Sequence, residues 1–184
     1  YSQEVRILAK LELIMAETDI RIAPSMLSAD FLHLEKDVRM VNECADIFHL
    51  DVMDGTFVPN ISYGFPVVEA IARQAKKPLD VHMMIVHPEK YAVKFVRAGA
   101  SMVSFHLEAV ENDRKADDIL SEIRLAGAKA GLVINPDIPV ERLYPHLENA
   151  DYFLIMSVFA GFGGQKFIPE TFAKIRNLKE YMEK

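Results

Sequence analysis

The sequence predicts an α/β protein, a (β/α)₈ (TIM) barrel of which about six βα units lie in the chain. Short apolar runs alternate with longer segments of helical spacing at intervals of ~23–32 residues, which is typical of parallel strands joined by helices. Four consecutive predicted strands each have one apolar face and one face with polar groups. An open sheet covered by helices needs two apolar faces, so a polar interior favours a closed barrel.

The predicted elements follow one another in a regular order. Helical spacing occurs in the segments FLHLEKDVRMVNEC, FPVVEAIARQAKK, PEKYAVKFVRAGA, DRKADDILSEIRLAG, PVERLYPHLENA and IPETFAKIRNLKEYMEK. Gly99 and Gly127 stand where two of these helices should end. Residues 1–19 lie outside this pattern, so we expect a leader or tag there and a barrel domain over residues 20–184. The predicted strands begin near Ile20, Asp46, Pro78, Ser101, Ala128 and Asp151.

Composition limits the class of protein and its partners. The 184 residues are 51% apolar and 26% charged, which suits one globular domain with a substantial core. A net charge of −6 without a basic tract argues against nucleic acid or an acidic membrane surface as partner. No run approaches the ~18–20 apolar residues of a membrane span. The one cysteine, Cys44, excludes an internal disulfide, and we expect it to pack in the middle of a helix.

Three polar side chains point to a metal site. Strand alternation puts His49 and Asp51 on one face, roughly 6–7 Å apart at their base, and His82 faces the same way on the next strand. Two imidazoles and a carboxylate form a ligand set that Zn²⁺, Fe²⁺, Mn²⁺ and Co²⁺ all accept. The alternative is that each is an ordinary hydrogen-bonded core residue. Burying three titratable groups is costly unless something pairs them, so we favour the metal.

Other polar residues receive weaker assignments. His106 and Glu108 lie on the same inner side one strand further on, where we expect hydrogen bonds behind the ligands. Asp54 follows the inward Met53 and is expected to help the next loop turn rather than to bind metal. Three further histidines fall on predicted helices or loops and are expected at the surface, namely His33, His87 and His146.

A glycine-rich segment, GFGGQ, directly follows the sixth predicted strand at residues 161–165. Glycines let backbone N–H groups approach an anion closely, so this segment is a candidate phosphate cradle, with an ordinary turn as the alternative. By alternation in the first predicted strand, the Ser25 hydroxyl points inward. Methionines recur near strand ends and fit either core packing or an apolar wall over the site; they are Met26, Met53, Met84 and Met156.

These residues together resemble the ribulose-phosphate 3-epimerase family, from about Ile22 to the end of the chain. The likeness rests on several long segments in the right order: APSMLSADF, HLDVMDGTFVPNISYG, DVHMM, FHLEA, GLVINP and MSVFAGFGGQKF. The closely similar allulose-6-phosphate 3-epimerases share most of these features. The resemblance implies a cytoplasmic, homo-oligomeric enzyme whose partner is a small sugar phosphate.

The resemblance also implies roles for individual residues. The family holds one divalent metal with two histidines and two aspartates, and the matching positions here are His49, Asp51 and His82. Asp51 also matches one of two proton-transfer groups. Substrate contacts fall on Ser25 and His82, and the phosphate is held by the loop that matches Gly161, Phe162, Gly163 and Gly164.

The implied reaction inverts C3 of D-ribulose 5-phosphate to give D-xylulose 5-phosphate, a step of the pentose phosphate pathway. Removing the C3 proton gives an enediolate, whose charge the metal stabilises as a Lewis acid. Returning a proton to the opposite face requires an acid/base group on each side of the sugar.

The sequence departs from the family pattern in two places. No V-D-G-G motif occurs, so the second aspartate has no counterpart, and six strands stand where a barrel needs eight. We therefore expect a domain incomplete at its C-terminus, whose parent is active while a chain of these residues alone would not epimerise. The family usually has V-x-P-G-F-G-G, whereas this chain has VFAGFGG, with Phe159 and Ala160 before the glycines.

Three alternatives stay open at this stage. An allulose-6-phosphate 3-epimerase would use the same chemistry on a hexose. A phosphate-binding barrel lyase or decarboxylase would typically use a lysine at the strand ends, but Lys129 falls at the start of its strand. The third alternative is a non-catalytic binding or scaffold protein built on a truncated barrel, which bound metal would argue against.

Overall fold

A computed structural model describes residues 20–183 as a twisted parallel sheet with helices between successive strands. The strands pair in sequence order, each hydrogen-bonded to the next. This is the arrangement of consecutive βα units that the alternating pattern predicts. The strands are β1 (Phe48–Met53), β2 (Leu79–Met84), β3 (Met102–His106), β4 (Lys129–Ile134) and β5 (Tyr152–Ile155).

Residues 20–183 contain five α-helices and four 3₁₀-helices, which lie before, between and after these strands. The predicted helix after β4 is a 3₁₀-helix, Val140–His146, and Pro145 inside it explains why a regular α-helix does not form. No helix within residues 20–183 is long and apolar enough to span a lipid bilayer. The α-helices are α1 (Leu34–Cys44), α2 (Phe65–Gln74), α3 (Ala92–Arg97), α4 (Asp113–Leu125) and α5 (Thr171–Met182); the other 3₁₀-helices are Met26–Ser28, Pro88–Lys90 and Leu107–Ala109.

The apolar core lies between the sheet and the helices. The outward faces of the strands supply side chains that are fully buried, such as Phe48, Val103 and Leu132. Burying side chains of this size stabilises the fold by roughly 1.5–3 kcal/mol each. The two glycines predicted to end helices do so, because Gly99 and Gly127 have φ values of 109° and 97°, which an L side chain rarely adopts. The outward faces are thus committed to packing, which leaves the inward faces for chemistry.

The first predicted strand is reduced to a single bridge between Ser25 and His49. Ile22 and Pro24 still lie along β1, since their carbonyl groups accept hydrogen bonds from the backbone of Asp46 and His49 at 2.9 and 3.2 Å. Pro24 has no N–H to donate, which limits the ladder that this segment can form. The segment nevertheless places Ser25 beside β1. The predicted leader over residues 1–19 lies outside the described residues.

Two minor predictions are wrong. His146 is fully buried rather than at the surface, because the 3₁₀-helix turns it toward α4, where its Nδ1 lies 2.7 Å from Asp117 Oδ1. Cys44 is the last residue of α1 and is exposed, so it does not pack in the middle of a helix. The first error comes from the type of helix and the second from the position of a helix end, and spacing locates neither well. His33 and His87 carry exposed side chains, as predicted.

Candidate metal and substrate site

The register of β1 and β2 brings the three predicted ligands together. Asp51 pairs with His82, and His49 lies one inward position below Asp51 on the same strand. His49 Nε2 is 3.3 Å and His82 Nδ1 is 2.9 Å from the same oxygen, Asp51 Oδ1. A ligand atom from each of the three residues lies within 4.8 Å of the other two. The alternation of β-strand side chains therefore produces one compact group of two imidazoles and a carboxylate.

Asp51 is the centre of this group. Its second carboxylate oxygen, Oδ2, accepts a short hydrogen bond from Ser25 Oγ, and the Ser25 hydroxyl in turn accepts one from the Leu27 amide at 3.1 Å. The backbone of Asp51 is also fixed, since Ser62 Oγ donates to its carbonyl oxygen at 2.6 Å. Asp51 is 9% exposed and His82 is 1% exposed. The carboxylate thus has one oxygen toward the histidines and one toward Ser25.

The charges of the group are set by burial and by these hydrogen bonds. Burial favours the neutral form of Asp51, but hydrogen bonds from His49 and His82 outweigh it and hold the pKa of Asp51 far below its ordinary value. Burial also opposes charge on His49, yet its hydrogen bonds to Asp51 and Asp80 raise its pKa to about 10. For His82, burial dominates and lowers the pKa to about 4. Near neutral pH the group therefore holds an imidazolium, a carboxylate and a neutral imidazole.

The donor set fits a divalent transition metal. Two imidazole nitrogens and one carboxylate oxygen are the ligands that Zn²⁺, Fe²⁺, Mn²⁺ and Co²⁺ take in proteins, and the spacing of these atoms allows all three to contact one ion. His82 presents a neutral ring, and Asp51 presents an ionised carboxylate, as ligands must. Only His49 would have to lose a proton.

The far sides of both histidines are held by groups to which the sequence pattern assigned no role or only a weak one. His49 Nδ1 lies 2.8 Å from Asp80 Oδ2, and Tyr152 Oη donates to the other oxygen of Asp80 at 2.7 Å. His82 Nε2 lies 2.9 Å from His106 Nε2. Asp80 shares the inward face with His82, so its carboxylate was a readable signal. Tyr152 is separated from Asp80 by 72 residues, and only the fold joins them.

His106 lies between His82 and a further polar pair, Glu108 and Asn135. Its Nδ1 lies 3.5 Å from Glu108 Oε1, which also accepts hydrogen bonds from the side-chain and backbone nitrogens of Asn135 at 2.9 and 3.0 Å. Burial raises the pKa of Glu108, but the bonds from His106 and Asn135 hold it below its ordinary value. The expected hydrogen bonds behind the ligands are thus present. Asn135 Oδ1 accepts from the Ala160 amide at 3.0 Å, which extends the network to the glycine loop.

The glycine loop is an ordered turn at the carboxyl end of β5. Gly161 and Gly164 have φ values of 122° and 70°, in the region that favours glycine. Asn60 Nδ2 donates to the Gly161 carbonyl at 2.9 Å, and Gln165 Nε2 donates to the carbonyls of Phe159 and Phe162 at 2.6 and 2.8 Å. The N–H groups of Gly163 and Gly164 donate to no acceptor among residues 20–183. They remain available to an anion.

A cavity of about 290 Å³ connects the loop with Asp51. Ser25 and Asp51 form its floor, and residues 161–164 form its rim. His82 does not line this cavity, so the structure does not place it in contact with a ligand bound there. Apolar side chains cover the wall between floor and rim, including three of the four singled-out methionines, Met53, Met84 and Met156. The fourth, Met26, belongs to the main core.

Asp54 stays outside the metal group, as predicted. Its Oδ1 accepts from the amides of Thr56 and Phe57, both at 2.8 Å, and its Oδ2 accepts from the Val86 amide at 2.8 Å. The residue fixes the loop after β1 and ties it to the end of β2. β1 thus places His49 and Asp51 in the site, and Asp54, directly after the strand, lies in the turn.

Solved structures share the fold at low sequence identity. The tryptophan synthase α subunit from Legionella pneumophila is 18% identical with a TM-score of 0.57, over 96% of this chain and 74% of that one. A mutant α subunit from Pyrococcus furiosus is 14% identical with a TM-score of 0.59, over 89% of this chain and 73% of that one. These are TIM barrels, so the predicted fold class is confirmed.

Curated relatives share the sequence itself. Ribulose-phosphate 3-epimerase from Synechocystis sp. is 50% identical over 163 residues, which cover 88% of this chain and 70% of the relative. The enzyme of that name from Bacillus subtilis is 44% identical over 161 residues, covering 87% and 73%. The profile of the ribulose-phosphate 3 epimerase family matches residues 21–184. By fold and by sequence, this chain belongs to the ribulose-phosphate 3-epimerase family.

Proposed function

We propose that this chain carries the metal site and one of the two proton-transfer groups of a metal-dependent 3-epimerase, whose reaction on a ketose phosphate interconverts D-ribulose 5-phosphate and D-xylulose 5-phosphate. The observation that supports this most directly is the position of Asp51. Asp51 Oδ1 lies close to a ring nitrogen of both His49 and His82. The same residue lines a cavity that the glycine loop also lines. A sugar phosphate bound with its phosphate at the loop would therefore lie over an ionised carboxylate.

Each part of the site has a defined task in this proposal. Asp51 removes the proton from C3 on one face of the sugar and can return it, and its hydrogen bond with Ser25 orients the reacting carboxylate. A divalent ion held by His49, Asp51 and His82 would supply Lewis-acid stabilisation of negative charge on the sugar oxygens. The N–H groups of Gly163 and Gly164 bind the phosphate. The wall of methionines keeps water from the carboxylate.

The alternatives have less support. The curated relatives are named for ribulose phosphate rather than allulose 6-phosphate, which favours the pentose. A lyase would need a lysine in the site, but Lys129 is exposed at the start of β4. Lys174 Nζ is held by the carbonyl oxygens of Pro136 and Ile138 at 2.6 and 2.5 Å.

Exchange of the C3 hydrogen with solvent tests the role of Asp51. The chain, loaded with Co²⁺, is incubated in D₂O with ribulose 5-phosphate and separately with xylulose 5-phosphate, and deuterium at C3 is followed by NMR. We expect exchange into at least one of the two sugars, and a loss on the order of 10²–10⁴-fold in Asp51→Asn, because a positioned base contributes about that factor. Asp118→Asn, on the exposed side of α4, is the matched control.

Equal exchange in Asp51→Asn and in the chain itself would exclude the proposed role. Adding allulose 6-phosphate as a third substrate separates the pentose from the hexose activity. The relative from rice is named a cytoplasmic isoform, and we propose a cytoplasmic location here as well. We also propose a homo-oligomer, which light scattering coupled to size-exclusion chromatography would test.

A further inference from the structure

We propose that Asp80 and Tyr152 are positioning residues that fix the His49 ring for metal binding, and that Gly131 provides the space that Tyr152 needs. The inference rests on the proposed function, because it assumes that His49 binds the metal. It adds a chain of contacts that crosses the inside of the sheet from β5 to β1. None of these three residues touches the reacting atoms in this scheme.

The contacts leave the His49 ring little freedom. Asp80 is the register partner of His49, and its Oδ2 accepts from His49 Nδ1 at 2.8 Å. With Nδ1–H committed to Asp80, it is Nε2 that faces Asp51 at 3.3 Å. A carboxylate that accepts from the second nitrogen of a ligating histidine fixes the tautomer and orients the ring. Asp80 therefore decides which nitrogen of His49 is presented to the metal.

Tyr152 holds Asp80 in turn. Its hydroxyl donates to Asp80 Oδ1 at 2.7 Å, so both oxygens of this carboxylate, in a residue that is 8% exposed, have a partner. Burial together with the charge of Asp80 raises the pKa of Tyr152 well above its ordinary value, which keeps the hydroxyl a donor. A carboxylate fixed at both oxygens cannot turn away from His49. The tyrosine thus acts on the ligand through the aspartate.

Gly131 makes this arrangement possible. It is the register partner of Tyr152 on the neighbouring strand. A Cβ at position 131 would lie 2.4 Å from Tyr152 Cζ and within 2.7 Å of two further ring carbons, which is closer than real Cβ contacts allow. The ring therefore occupies the space that a Cβ at position 131 would take, and its hydroxyl reaches Asp80 on β2. Any side chain at position 131 would push the ring away while leaving its hydroxyl intact.

Metal affinity is the measurement that separates positioning from simple packing. Co²⁺ is titrated into the chain, and its binding is followed by visible absorption and by calorimetry. We expect Tyr152→Phe to weaken binding about tenfold and Asp80→Asn by about 10–100-fold, as is typical when the partner of a ligating histidine is removed. The absorption bands should also change, since the His49 ring is no longer fixed. Tyr144→Phe is the control, because it keeps the stacking of Tyr144 on Tyr181, 3.7 Å between ring centroids, far from the site.

Two further variants show whether the effect passes through His49. Combined with His49→Ala, Tyr152→Phe should weaken Co²⁺ binding by no more than about twofold beyond His49→Ala alone, because residues that act through one partner are not additive. Gly131→Ala should resemble Tyr152→Phe in Co²⁺ affinity. Circular dichroism and thermal unfolding confirm that each variant is folded.

The outcomes distinguish this inference from the proposed function. If the unmodified chain fails to bind Co²⁺, the proposed metal site is wrong and this inference falls with it. If the chain binds Co²⁺ while a folded Tyr152→Phe binds it equally well with unchanged absorption bands, the metal site stands and the positioning role is refuted. Additive losses in the double variant would likewise refute an action through His49.

Discussion

Metal binding by this chain should release one proton per ion, and the proton should come from His49. Between roughly pH 5 and 9 one of the three ligands, His49, holds a proton that it must lose to bind an ion. The pKa of His82 is about 4, so its ring is neutral; the pKa of Asp51 is far lower, so it is ionised; and the pKa of His49 is about 10. The proton on His49 Nδ1 keeps its hydrogen bond to Asp80. The proton that an ion must displace is therefore the one on Nε2, which faces Asp51. Affinity should therefore rise with pH, about tenfold per unit.

Calorimetry measures directly how many protons are released per ion bound. Co²⁺ is titrated at pH 6, 7 and 8, at each pH in two non-chelating buffers with different enthalpies of protonation, and the difference in heat counts the protons released. We expect about one proton at each pH and an affinity about 100-fold higher at pH 8 than at pH 6. His49→Gln should bind more weakly, with no proton released and no pH dependence.

A constant Co²⁺ affinity from pH 6 to pH 8, with no proton released, would refute the assigned role of a protonated His49 ligand. Either His49 is neutral in the metal-free chain, or it is not a ligand. The His49→Gln variant separates the two, because a non-ligand can be replaced without loss of Co²⁺ affinity. Release of two protons would instead show that His82 is also protonated before binding.

Three other outcomes follow from the same contacts. The metal-free chain should lose stability toward urea as the pH rises toward 10, because folding raises the pKa of His49 from 6.5 to about 10. The stabilisation from the charged His49 ring is complete below pH 6.5 and is lost as the ring gives up its proton. His49→Gln should flatten this pH dependence. Phe105→Ala, which truncates a fully buried β3 side chain, should lower the free energy of unfolding by about 3–5 kcal/mol in urea titrations, and a loss under 1 kcal/mol would contradict the packing described here. Gly161→Ala places a methyl group on a residue with a φ of 122°, 3.3 Å from Val58 Cβ, and should distort the loop. Binding of ribulose 5-phosphate should weaken several-fold while Co²⁺ affinity stays unchanged. Parallel losses of both affinities would show instead that the loop supports the metal group.

The sequence was sufficient to group the three candidate ligands, because the information needed is local. Alternation puts His49 and Asp51 on one face, and the pairing of consecutive parallel strands then brings His82 beside them. The same reasoning located Asp54 in the turn, where three backbone amides hold it. The glycine loop was placed at the right end of its strand by position alone. Local rules thus determine which side chains face inward.

Contacts across the sheet could not be obtained in this way. Tyr152 reaches Asp80 only because the sheet twists and because Gly131 leaves room, and neither condition is visible in a strand taken alone. The burial of His146 depends on a 3₁₀-helix where spacing suggested an α-helix. Helix ends and strand-to-strand geometry are set by tertiary packing, which a single sequence does not report.

The replacement of the family's usual proline by Ala160 gains an explanation from the polar network. A hydrogen-bonded path runs from Asp51 through His82 and His106 to Asn135, whose Oδ1 accepts from the Ala160 amide. Proline has no N–H, so a chain with proline at this position could not make the last of these bonds. A proline would fix the backbone before the glycines through its own ring, whereas here Asn135 fixes it from outside. Because small displacements of a bound group are costly in catalysis, a restraint on this loop favours precise phosphate placement, and in this chain Asn135 supplies one.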